Sequence, residues 1–210
     1  MGEASVPDAI RCWKLVAEPD FWRNHYHLHP CNKRVKNWLF VHRSFRESTY
    51  SIVQDAEAVQ KAITEGCAAS KTQAATKAVQ KSFKSLAGKV ARHSEFEDTQ
   101  LFRFFKENVP EAGDQMRDLE ADHSDKQLET DALDRLEALL CAPMTAAGRS
   151  SGDDLASAEA VTAAVKAYAA SLMLHLDREE KAIVVRWLAL DAGMYAKYRT
   201  YLTGMYRMIY

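Results

Sequence analysis

No sign of charge dominates this 210-residue chain: 28 lysines and arginines face 29 aspartates and glutamates, for a formal net charge of -1. A surface built for nucleic acid or for an anionic membrane needs a basic excess, so neither partner is expected. Cysteine is sparse. Cys12, Cys31, Cys67 and Cys141 stand far apart with no C-x-x-C pair, which argues against a structural zinc site and against a small disulfide scaffold. Reduced thiols in a cytoplasmic protein are the expectation. A run of about 18 apolar residues is missing, so no membrane-spanning helix is expected. The opening MGEASVPDAI lacks the basic and apolar regions of an export signal, and Val6 stands where a myristoylation motif starting at Gly2 wants Ser or Thr.

β-branched runs are also scarce, and what fills their place favours helix. Stretches such as AEAVQKAI and ASAEAVTAAVKAYAA are poor strands and good helices. Apolar periodicity predicts a first helix from Lys33 to Glu65, with Trp38, Phe45, Ile52 and Ala56 on one side and Gly66 just past its end. A second runs from Lys71 to Glu107, where Ser70 and Gln73 resemble a capping box. NVPEAG breaks it, and Pro110 suits the first turn of a third helix, Glu111 to Leu140, with Met116, Leu119, Leu133, Leu136 and Leu140 turned one way. The loop APMTAAGRSSGDD carries turn chemistry. A fourth helix spans Leu155 to Asp191, with Val161, Val165, Tyr168, Leu172, Ile183 and Trp187 as its apolar side.

The expected fold is all-α: an up-down-up-down antiparallel four-helix bundle over residues 33–191. An aromatic N-terminal arm (1–32, with Trp13, Phe21, Trp22 and Tyr26) and a short C-terminal helix (192–210) pack on it. The C-terminal helix begins after Gly193 and bears Met194, Tyr198, Tyr201, Leu202 and Met205. Its other use would be as a homodimer surface.

Of seven histidines, four fall one per long helix: His42, His93, His123 and His175. The midpoints between successive members fall in EGCAAS, NVPEAG and AAGRSSGDD, the three predicted breaks. Residues equidistant from an antiparallel turn lie side by side, so all four histidines are expected at one height. His42 to His93 is 51 residues and His123 to His175 is 52. In each half the second histidine opens H-x-x-x-E, His93 with Glu97 and His175 with Glu179, and residues four apart share a helix face. Four imidazoles and two carboxylates around one space suit iron or manganese, and two carboxylates suit a metal pair. A lone buried histidine is usually structural; four level ones with two matched glutamates are much harder to obtain idly.

RHSEFEDTQLF, ADHSDKQLE and LHLDREEKAIV resemble the second-, third- and fourth-helix motifs of the hemerythrin-like family, the HHE cation-binding domains, over about residues 35–190. The resemblance implies a non-haem di-iron centre. His42 and His93 would bind one iron, His123 and His175 the other, and Glu97 and Glu179 would bridge them beside an oxo, hydroxo or water bridge; manganese or zinc are alternative occupants. The oxygen-carrying members have a further histidine one turn after the third-helix ligand. Here that position is Gln127, which leaves about one open position on each metal and favours reaction with O₂, peroxide or NO over simple carriage. Storage of O₂ or iron, and an iron- or oxygen-sensing interaction module, are the competing readings; whether the protein is an enzyme stays open.

Glu95, Asp98, Asp122 and Glu180 are expected as solvated charges rather than additional ligands. Tyr168 and Arg46 are candidates to hydrogen-bond the ligating imidazoles, and Phe45, Leu101, Leu119 and Leu172 to wall the pocket. His25, His27 and His29, in HYHLHP, are expected to form a surface turn rather than a metal site.

Overall fold

The computed structural model describes residues 19–141 and 151–209, with side chains described from Phe21 to Tyr201 outside the segment 142–153. Trp13, the loop after Cys141 and the side chains of Leu202 and Met205 lie outside the described residues. Every regular element among the described residues is helical, and the fold is an all-α helical bundle. In chain order the helices are α1 (Pro19–His25), α2 (Lys36–Thr64), α3 (Ala69–Phe96), α4 (Arg103–Asn108), α5 (Gly113–Ser124), α6 (Gln127–Cys141), α7 (Ser151–Ala189) and α8 (Ala192–Ile209). None of the described helices is long and apolar enough to cross a membrane.

The helix ends follow local chemistry. Gly66, at φ 67°, stops α2. Its N–H bonds Ile63 O at 3.0 Å and that of Cys67 bonds Ala62 O at 2.9 Å, a Schellman closure that satisfies the last carbonyls. Helix α3 opens at Ala69, so Ser70 lies inside the first turn and not at the cap that the capping-box pattern suggests. Pro110 starts the 3₁₀ turn that leads into α5, as its fixed φ favours. Asp191 Oδ1 accepts the Met194 N–H at 2.7 Å and caps α8, which places Gly193 within that helix instead of before it.

Two stretches depart from the sequence-based expectation. The second helix is not uniform: a six-residue π-helical segment, Glu97–Phe102, joins α3 to α4. A π turn sets residues five apart on one face. Glu97 and Phe102 are both fully buried, together with Phe104 and Phe105. The third helix is broken. It ends at Ser124, and Asp125 Oδ1 accepts the Gln127 N–H at 3.0 Å. Ser and Asp compete with the helical ladder through such side-chain bonds, so the pair starts a new helix. The break re-phases α6. Ala132, Leu136 and Leu139 are buried in it, while Leu133 and Leu140 are only half-buried.

The chain forms two compact units. One comprises the described residues through His42, Phe96–Glu120, and those from His175 onward. Its interior holds Val35, Trp38, Leu101, Phe102, Phe104, Phe105, Met116, Leu119 and the run Ala182–Val185, with Trp187 and Tyr198. Trp22 and Tyr26 of the arm, and Met194, Tyr195 and Tyr201 of α8, pack against this core. Arg34 is buried there, its Nη1 donating to Leu190 O at 2.5 Å.

The other unit comprises Arg43–Glu95 and the described part of Ala121–Leu174. Phe45, Ile52, Val59, Val79, Phe83, Leu86, Leu136, Val161, Val165 and Leu172 are buried in it. Thr162 Oγ1 donates to Ala56 O at 3.3 Å and Lys166 pairs with Glu57 at 2.6 Å, tying α7 to α2. Gln80 donates to Glu137 at 2.5 Å, tying α3 to α6.

Candidate metal centre

His42 sits two turns into α2, wholly buried. Its Nδ1 lies 3.1 Å from Glu180 Oε1. A carboxylate accepts only, so this pairing puts the ring proton on Nδ1 and aims the Nε2 lone pair the other way. That nitrogen is 3.6 Å from Glu97 Oε1 and 3.6 Å from Glu179 Oε2. The carboxylates come from different helices, Glu97 from the first position of the π segment and Glu179 from α7, and both are fully buried. Trp38, one turn before His42, donates its indole N–H to Glu97 Oε1 at 2.6 Å. His175 Nε2 lies 3.2 Å from Glu179 Oε1, one helical turn along α7.

Two groups of side chains have the composition and compactness to hold a metal ion: His42 with His93 and Glu97, and His123 with His175 and Glu179. Within each, one ligand atom per residue lies within 4.8 Å of the others. His93 and His175 are half-buried, and His123 is buried. Phe45 meets the His93 ring edge-on, with centroids 5.2 Å apart. Phe45, Leu101, Leu119 and Leu172 are all buried.

Burial alone would pull the His42 imidazole below its ordinary value. The hydrogen bonds to Glu180 and Glu97, with the charges of Glu179 and Glu97, outweigh that and push it up to about 9. Without a cation, a proton on His42 thus offsets part of the negative charge collected here. Buried carboxylates held against one imidazole nitrogen cost several kcal/mol unless countered. A cation among nitrogen and carboxylate donors counters them directly, and the mixed N/O set suits iron, manganese or zinc. The residues present fit a bound metal.

Other candidates fare differently. Glu180 is only 6% exposed and holds His42, so the expectation of a solvated charge is wrong for it. Its Oε2 also faces Arg23 Nε of α1 at 3.9 Å, and Arg23 is paired with Asp177. Glu95 is exposed; Asp98 and Asp122 are half-buried. Tyr168 is buried against Phe83, centroids 4.8 Å apart, and its hydroxyl makes no hydrogen bond among the described residues. It therefore does not serve an imidazole in the hydrogen-bonding role expected of it; burial holds its phenol well above the usual range. Arg46 is half-buried. Gln127 opens α6 and is exposed, beyond the break that follows His123. In the HYHLHP segment, His25 stacks on Phe21 and His29 Nδ1 accepts the Cys31 N–H at 3.1 Å. These histidines form no metal-type group among the described residues.

Sequence reasoning expected Glu180 in solvent and gave Trp38 and Arg23 no part in the site. Trp38 had a usable signal, its i, i+4 spacing to His42. Glu180 had none: it and Glu179 are both buried, and only packing decides that Glu180 meets His42 Nδ1 while Glu179 meets Nε2.

Fold and site together define an all-α, cation-binding helical domain. The hemerythrin HHE cation-binding domain model matches residues 35–187, most of the chain, and the chain belongs to that family. No curated protein and no solved structure matches it.

Proposed function

We propose that the chain is a non-haem di-iron protein that reacts with a small oxidising ligand, O₂, a peroxide or NO. His42, His93 and Glu97 would hold one iron and His123, His175 and Glu179 the other. The observation that carries this reading is the approach of Glu97 and Glu179, one from each group, to within 3.6 Å of the same His42 nitrogen. Carboxylates so close to a common point suit a bridge between paired cations. Iron held there would supply one-electron redox chemistry.

The protein's own residues do the rest. Glu180 fixes the His42 tautomer and ring direction, Trp38 orients Glu97, and the buried Phe45 packs on the His93 ring. Exposure of Gln127 on the next helix favours reactivity over carriage, because no further side chain comes from that position to close the second metal.

Elemental analysis with a visible spectrum tests the proposal: about two irons per chain and near-ultraviolet bands of a bridged ferric pair are expected. His93→Ala or Glu97→Ala should lower the iron content, and His27→Ala should leave it unchanged. Equal losses at His27 and His93 would move the site elsewhere. Reversible O₂ binding without peroxide turnover would favour a carrier.

A further inference from the structure

We propose that a Trp–Tyr chain conducts single electrons between the metal centre and the protein surface. The chain begins on the ligands themselves. The Trp38 ring lies 3.9 Å from the His42 ring, centroid to centroid, and donates its N–H to Glu97. Trp187 follows at 6.1 Å from Trp38, Tyr198 at 5.3 Å from Trp187, and Tyr195 at 6.2 Å from Tyr198, stacked at 28°. Trp38, Trp187 and Tyr198 are buried, whereas Tyr195 is half-exposed. Arg34 lies over the Tyr195 ring at 4.3 Å and holds it in place.

Trp and Tyr are the side chains that most readily lose one electron, and electron tunnelling weakens steeply with the gap crossed. Rings nearly in contact therefore carry a hole in short steps where one long jump would fail. Plain packing needs only apolar bulk, which Leu and Phe supply; here every member of the line is oxidisable.

The order sets a direction. At neutral pH a tyrosine that can release its phenol proton holds a hole more firmly than a tryptophan. The buried Trp187 indole N–H has no hydrogen-bond acceptor among the described residues, so its radical cation keeps its proton and passes the hole on. Tyr195, reaching water, can. Holes run outward and electrons inward.

The inference rests on the di-iron reading for the source of the hole. Reduction of a hydroperoxide consumes a pair of electrons and a pair of protons and yields an alcohol and water. The chain delivers electrons singly. In the iron-loaded protein Trp38 would give one to the metal pair, Trp187 would refill Trp38, and Tyr195 would refill Trp187 across the Tyr198 ring that lies between them. The Tyr195 phenol proton passes to water. An external one-electron reductant of the ascorbate class restores Tyr195, which takes back a proton.

Laser photoionisation of tryptophan in the metal-free full chain tests the conduit without any metal. Transient absorption should show the indole radical decaying as a tyrosyl radical grows. Trp187→Phe and Tyr195→Phe should lose the fastest part of that conversion, and Trp22→Phe should keep it. Tyr195→Phe retains the ring and, with thermal melting as the check on folding, guards against a variant that misfolds. Unchanged conversion in folded Tyr195→Phe overturns the conduit whether or not the protein holds iron. Coupling to the centre is read by peroxide treatment of the iron-loaded chain and peptide mass mapping. Oxidation is expected at Tyr195 in the wild type and lost there in Trp187→Phe. Tyr195 left unoxidised, in a chain that carries iron and conducts after photoionisation, overturns that coupling. Absence of iron in the wild type would instead sink the di-iron reading.

Discussion

Glu180 reaches the centre through His42. It accepts from Nδ1 at 3.1 Å, from a position 6% exposed. Such outer carboxylates commonly contribute about 10–100-fold to metal affinity. Glu180→Ala should weaken binding by about that factor in chelator competition, while Glu95→Ala, at an exposed position, should leave it unchanged. The same residue governs protons. Folded His42 titrates at about 9, above the unfolded 6.5. Its contribution to the metal-free fold is therefore complete below pH 6.5 and disappears as the pH rises through 9. Between those values a metal must displace the Nε2 proton. Loading at neutral pH in weak buffer should release a proton that pH-stat titration counts, and Glu180→Gln should reduce the release. Loading without proton release would mean that His42 is neutral before the metal arrives. At this scale the six proposed ligands were legible, because H-x-x-x-E and equal spacing survive in one dimension. Glu180 was not, because its neighbour Glu179 has the same chemistry and only packing separates them.

At the level of elements, helix ends were more legible than helix interiors. Gly66 was readable because its role is local. It sits at φ 67°, and a Cβ added there meets nothing within 4 Å. Gly66→Ala should thus strain the backbone and nothing else, lowering stability by about 1–2 kcal/mol in denaturant unfolding. A loss well beyond that would point to a steric role for this turn. The π segment was not legible. RHSEFEDTQLF has an ordinary helical composition, and the wider turn arises where Glu97 must be buried together with Phe102, Phe104 and Phe105. The break at Asp125 had its signal in the Ser–Asp pair, but the surrounding apolar periodicity, Leu119 to Leu133, masked it.

For the molecule as a whole, metal and fold are linked. A cation that binds the folded donors more tightly than the unfolded chain raises the melting temperature, by about 2.7 kcal/mol of stability at a hundredfold excess over the dissociation constant. Melting should rise with iron concentration in the wild type and much less in Glu97→Ala. A melting temperature indifferent to iron would remove both the di-iron reading and any sensing role. Helical content, the family and the histidine and glutamate candidates were determined by the sequence alone, since periodicity, turn chemistry and motif order are properties of a string. The tertiary structure alone decided which carboxylate holds His42, that Trp38 grips Glu97, that the Tyr168 hydroxyl makes no hydrogen bond among the described residues, and that Trp38, Trp187, Tyr198 and Tyr195 form a line. Those facts depend on helix rotation and on encounters such as that of Trp38 with Trp187, far apart in the chain, and packing, which no local pattern encodes, selects among rotations of similar local energy.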